Sequence, residues 1–72
     1  MFIDFNDIVR GKLPELKKDQ ERATDFIKNA LLTGHTDEDI SRSFFLNGIS
    51  KEDTVNYLKK GHEKLDRLLG GA

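Results

Sequence analysis

The sequence contains no cysteine. That absence removes disulfides, thiolate zinc sites and thiol nucleophiles together. Tryptophan is also missing, there is a single proline, and aromatic residues are 8% of the chain. Neither sign of charge dominates. Twelve basic residues stand against thirteen acidic ones, interleaved along the chain, for a formal net charge of −1. Such a surface is solvated but sets up no field that would draw in nucleic acid or acidic lipid. No apolar run approaches the roughly 20 residues needed to span a bilayer. The opening residues, 1–11, have no basic leader and no small-residue cleavage site, so no membrane association and a cytoplasmic setting are expected.

A chain of 72 residues has room for one domain. A domain this small buries only about 60% of the surface its unfolded form exposes. Disulfides, metals and oligomerisation are the usual staples of small scaffolds. With the first excluded and no metal cluster in view, self-association or docking on a partner remains.

What the chain does have is helix punctuation. Asp4 or Asn6 is placed to cap a first short helix, expected over residues 4–10, with Gly11 as its stop. Pro14 fits the first turn of a second helix, 14–32. Along it Leu16, Ala23, Phe26, Ile27, Ala30 and Leu31 fall on one stripe, at amphipathic helix spacing. Gly34 ends it. Thr36-Asp37-Glu38-Asp39 is a cap followed by acids that favour the positive end of a helix dipole, opening a helix at 37–46. Asn47-Gly48 stops that helix. Ser50-Lys51-Glu52-Asp53 then opens a fourth, 51–69, by the same chemistry. The likeness of the two junctions, fourteen residues apart, reads as one solution used twice, since known repeat units are longer. The expected fold is a small all-α bundle of three to four helices: a short N-terminal helix, two long amphipathic ones and a short crossbar.

The last helix carries Val55, Leu58, His62, Leu65 and Leu69 at spacings of 3, 4, 3 and 4, a heptad-like seam. His62 lies on that seam, where a buried imidazole would need a backbone carbonyl or a nearby acid such as Asp66. Gly61 falls inside the helix, where glycine costs roughly 1 kcal/mol against alanine. It points to a bend, a close crossing or an interface.

Chemistry finds little to work with. His35 precedes Asp37, Glu38 and Asp39, but those acids open a helix and diverge, and the alternating oxygen ligands of a calcium loop are absent. Serines 41, 43 and 50 have no activating motif. The glycines lie mostly at helix ends and form no phosphate-cradling loop. No catalytic residue, metal site or cofactor is expected. Lys17–Glu21, Lys59–Glu63 and Glu63–Arg67 are i, i+4 pairs of a solvated face.

Interaction is better served. Phe2, Ile3 and Phe5 gather at a terminus, where chains are normally frayed and polar. Phe44, Phe45 and Leu46 are consecutive, and one short helix cannot bury all three against one neighbour. Leu65, Leu68 and Leu69 broaden the seam near the other end. Leftover apolar surface of this kind marks interfaces. The candidate interface is therefore Phe2, Ile3, Phe5, Phe45, Leu46, His62, Leu65, Leu68 and Leu69. The expected function is a non-enzymatic protein-interaction module, a homo-oligomer with a dimer favoured.

The second reading is a small DNA-binding regulator, because the third and fourth helices loosely resemble a helix-turn-helix. Its contacts would be Lys51, Asn56, Lys59 and Lys60. Against it, the first helix of the motif is a turn too long, and Glu52 and Asp53 would face phosphates, whose neutralisation supplies most of the affinity for DNA.

Overall fold

Asp4 caps the first helix: its side chain accepts a hydrogen bond from the Asn6 amide. The structure, a computed structural model, describes residues 4–70. It contains α1 (Phe5–Lys18), α2 (Gln20–Leu32), α3 (Asp37–Leu46) and α4 (Lys51–Leu68), a small all-α bundle with no strand among the described residues. No helix is long and apolar enough to cross a membrane.

The first two helices differ from the expected spans of 4–10 and 14–32. α1 runs through Gly11 and Pro14 and stops at Lys18, and the break comes at Asp19. Pro14 has no N–H to give the Arg10 carbonyl and crowds it, a cost of about 3 kcal/mol in a helix interior. What outweighs this is a stripe spanning both residues. Phe5, Val9, Leu13 and Leu16 lie 4, 4 and 3 apart, on one face. Val9 and Leu16 are fully buried, with Phe5 and Leu13 packed against the core. At Asp19 the backbone turns extended (φ −130°, ψ 108°), and the carboxylate accepts bonds from the Glu21 and Arg22 amides. One residue thus ends α1 and caps α2. The same break separates Lys17 from Glu21, so that pair is no longer i, i+4 on one helix. Instead Arg22 reaches back to Glu15 at 3.6 Å and pairs with Asp19 at 3.6 Å.

The two later junctions share one geometry. After α2, the His35 amide bonds to the Ala30 carbonyl (3.0 Å) and the Gly34 amide to Leu31 (3.1 Å). After α3, Ile49 bonds to Phe44 (3.0 Å) and Gly48 to Phe45 (3.1 Å). This doubled closure needs a left-handed residue, and Gly34 (φ 98°) and Gly48 (φ 84°) supply it. Two residues later Thr36 and Ser50 each accept from an amide three along, Asp39 and Asp53, at 3.1 Å. The fourteen-residue likeness is therefore a shared stop-and-start, not a repeat.

The core holds Val9 and Leu16 from α1, Ala23, Ile27 and Ala30 from α2, Ile40 and Phe44 from α3, and Ile49 from the last junction. Phe26 and Leu31, also on the expected stripe, are partly buried. The buried residues of α4 are small, Thr54 and Gly61, with Tyr57 and Leu58 packed partly buried against the core. A Cβ on Gly61 would stand 2.6 Å from Cγ2 of Ile27 and 3.1 Å from its Cβ, so Gly61 marks the place where α4 crosses α2. Buried polar groups are paired. Thr24 and Thr54 donate to the carbonyls of Gln20 and Ser50, each at 2.8 Å. Asn6 Oδ1 accepts from Ser43 Oγ (3.0 Å) and Asn47 Nδ2 (2.9 Å), tying α1 to α3.

Candidate interaction surface

At 100° per residue, the heptad-like residues of α4 do not centre on its buried face. Thr54 and Gly61 point into the bundle. Leu58 and Leu65 lie to one side and are half-buried, while Val55, His62 and Leu69 lie further round and are exposed. The apolar arc is wider than the bundle can cover.

The expected interface residues divide accordingly. Leu46 and Leu69 are the most exposed, at 71% and 70%, followed by Leu68 at 58% and Phe45 at 46%. Val55, which was not assigned to the interface from sequence, is 54% exposed, and its place on the heptad-like seam was the available signal. Phe5 belongs to the bundle instead: its ring stacks on His35 with centroids 4.2 Å apart and on Phe26 at 5.8 Å. Leu65 is half-buried. Phe2 and Ile3 lie outside the described residues.

His62 is not a buried seam residue bonded to Asp66 or to a carbonyl. Its ring is exposed, with Nε2 2.7 Å from Oδ1 of Asp37. This contact ties α4 to the first turn of α3, because His62 lies about 100° round from Gly61 and so faces a neighbouring helix rather than the core. The His35 ring serves as a platform for Phe5.

The electrostatics are structural. Lys64 Nζ lies 2.9 Å from Asp25 and 4.0 Å from Glu21, linking α4 to α2. The Lys64 hydrogen bond, with attraction from Lys64 and Lys28, outweighs the opposing effect of burial and holds the Asp25 carboxyl below its usual range. Tyr57 is pushed up, first by burial and then by the nearby Asp53 carboxylate. No ion pair closes between Lys59 and Glu63 or between Glu63 and Arg67, while Arg42 does pair with Glu38 at 3.2 Å. A shallow cleft of about 300 Å³ between α2 and α4 is lined by Thr24 and by Glu21, Lys60, Glu63, Lys64 and Arg67. Its one hydroxyl, that of Thr24, is already committed to the Gln20 carbonyl. Among the described residues no three histidine, aspartate or glutamate side chains converge on a point where a metal could sit.

Lys51, Asn56, Lys59 and Lys60 are all exposed. They do not form a stripe, because Lys51 and Lys60 lie about 180° apart round α4. Glu52 and Asp53 occupy the first turn of the same helix and are exposed as well.

Compared with protein-family models, with curated proteins and with solved structures, the chain shows no significant match.

Proposed function

We propose that this chain is a non-enzymatic interaction module of the cytoplasm that self-associates through apolar surface left on α3 and α4. One observation carries the reading: Phe45, Leu46, Val55, Leu68 and Leu69 stand between 46% and 71% exposed. The bundle buries only Thr54 and Gly61 of α4 outright. α1 and α2 expose one large apolar side chain each, Ile8 at 40% and Leu32 at 46%, whereas α3, α4 and the C-cap of α4 expose five, and a concentration of that kind marks a surface that meets another surface. The scattered cations of α4 give DNA no continuous footprint.

Sedimentation equilibrium across a concentration series tests this. A reversible dimer is expected, weakened by Phe45→Asp or Leu69→Asp while far-ultraviolet circular dichroism stays unchanged. A chain that remains monomeric at every concentration, or variants that unfold before they dissociate, would place those residues outside any self-interface and remove the reading.

A further inference from the structure

Five exposed residues of α4 are arranged nearly symmetrically about His62, itself among them. Val55 lies seven residues before it and Leu69 seven after, and Lys59 lies three before and Asp66 four after. All five are exposed. At 100° per residue they fall within an arc of about 80°, beside the first turn of α3, where His62 stays exposed although its ring meets Asp37.

We infer that α4 pairs with α4 of a second copy, antiparallel, across a two-fold axis at His62. The inference rests on the self-association proposed above and specifies its face and direction. Closed two-fold dimers use one patch on both subunits, so the patch must be complementary to itself. This one is. Antiparallel pairing brings Lys59 of one copy against Asp66 of the other, twice, and sets the Val55 end against the Leu69 end. Parallel pairing would place lysine on lysine and aspartate on aspartate. Neither charge is satisfied at home: among the described residues no ion pair includes Lys59 or Asp66. Seven residues apart, they are separated by a rise of about 10 Å along the helix and cannot reach each other within one copy.

Most of the remaining apolar surface fits the same arrangement. α3 ends at Leu46, with four residues between it and the start of α4, so Phe45 and Leu46 lie at the Val55 end. Leu69 lies at the other end, while Leu68 is turned about 100° from it, towards α2 and outside this face. Each copy therefore presents two apolar ends, about 20 Å apart along α4, with opposite charges between them. Antiparallel docking buries each end against its counterpart.

A charge-reversal cycle read by sedimentation equilibrium tests the geometry. Lys59→Glu and Asp66→Lys should each weaken the dimer about tenfold, because each turns two attractions into two repulsions. The double variant should recover most of the wild-type affinity. In a second measurement His62→Cys should oxidise rapidly to a covalent dimer, since the axis brings the two thiols together and the chain has no other cysteine. Asn56→Cys, about 120° round the helix from His62 and outside that arc, should not. A dimer indifferent to the single reversals, a double variant no better than the singles, or equal cross-linking at 56 and 62 overturns the α4 pairing and leaves self-association through another face. A monomer at all concentrations overturns both.

Discussion

Gly11 and Gly61 are both helix-interior glycines, and the bundle predicts opposite outcomes when each becomes alanine. Alanine normally gains up to about 1 kcal/mol over glycine inside a helix. At Gly11 an added Cβ meets nothing within 4 Å, so Gly11→Ala should stabilise by 0.5–1 kcal/mol, roughly. At Gly61 the same methyl would sit 2.6 Å from Ile27 Cγ2 and 3.1 Å from Ile27 Cβ, with the Lys28 amide nitrogen at 3.6 Å. Ile27 is fully buried, and a β-branched side chain in a helix is stiff at χ1, so it cannot swing aside. The two helices must separate, and overpacking of this kind costs about 1–3 kcal/mol. After the propensity gain is subtracted, Gly61→Ala should lose 1–2 kcal/mol, roughly, which in a domain of this size lowers Tm by about 5–15 °C. Thermal and urea unfolding followed at 222 nm measure both variants. Ile27→Ala removes the clashing Cγ2, so Gly61→Ala should cost less in that background, and the double-mutant cycle should show coupling. If Gly61→Ala is as stabilising as Gly11→Ala, α2 and α4 do not cross where the structure places them.

Four further outcomes follow from other contacts. Thr36→Ala, Ser50→Ala and Asp19→Ala each remove a side chain bonded to orphan amides of a following helix, and each should lower unfolding free energy by about 1 kcal/mol in urea denaturation. Asn6→Ala strands the hydroxyl of Ser43 and leaves Asn47 Nδ2 only its bond to the Ser43 carbonyl, and should cost about 1–3 kcal/mol, whereas an effect within error would mean that α1 is not tied to α3 there. The lowered pKa of Asp25 means that its contribution to stability is present above about pH 4 and is lost as pH falls through the folded value, so Lys64→Met should flatten the acid limb of a stability–pH profile. Tyr57 is the single tyrosine, so absorbance at 295 nm should report a phenol that ionises above pH 10, and the stability tied to its neutral form should fall away as pH rises through that folded pKa.

The parts of the fold legible from sequence are those decided within a few residues. Expected spans of 37–46 and 51–69 became 37–46 and 51–68, because Thr36, Ser50, Gly34 and Gly48 act on amides and carbonyls close by. The first two helices were not legible in this way. Gly11 and Pro14 look like punctuation locally, but burial of Val9 and Leu16 outweighs both, and that burial depends on α2 and α3 being in place. Asp19 reads equally well as a polar residue inside a helix or as a cap between two, and only the packing of α1 on α2 and α3 decides it. The same limit applies to the surface. Periodicity places Phe5, Leu65 and Leu69 on apolar faces, but it does not say that His35 and Phe26 cover Phe5 while Leu69 is left 70% exposed.

The two unusual features of α4 have one physical cause. An amphipathic helix ordinarily docks by its bulkiest apolar residues. Here the docking face is centred on Thr54 and Gly61, with Tyr57 and Leu58 packed on either side, and the helix that Gly61 meets is close enough for its missing Cβ to matter. A small-residue face permits close approach to α2. It also turns the leucine-rich seam, centred about 80° away, towards the edge of the bundle. The half of the seam nearer the core, Leu58 and Leu65, is partly covered, and the further half, Val55, His62 and Leu69, is not. Close crossing and leftover apolar surface are therefore coupled. A variant that pushed α4 off α2 would expose more of Leu58 and Leu65 as well, so Gly61→Ala should change the self-association of the chain along with its stability.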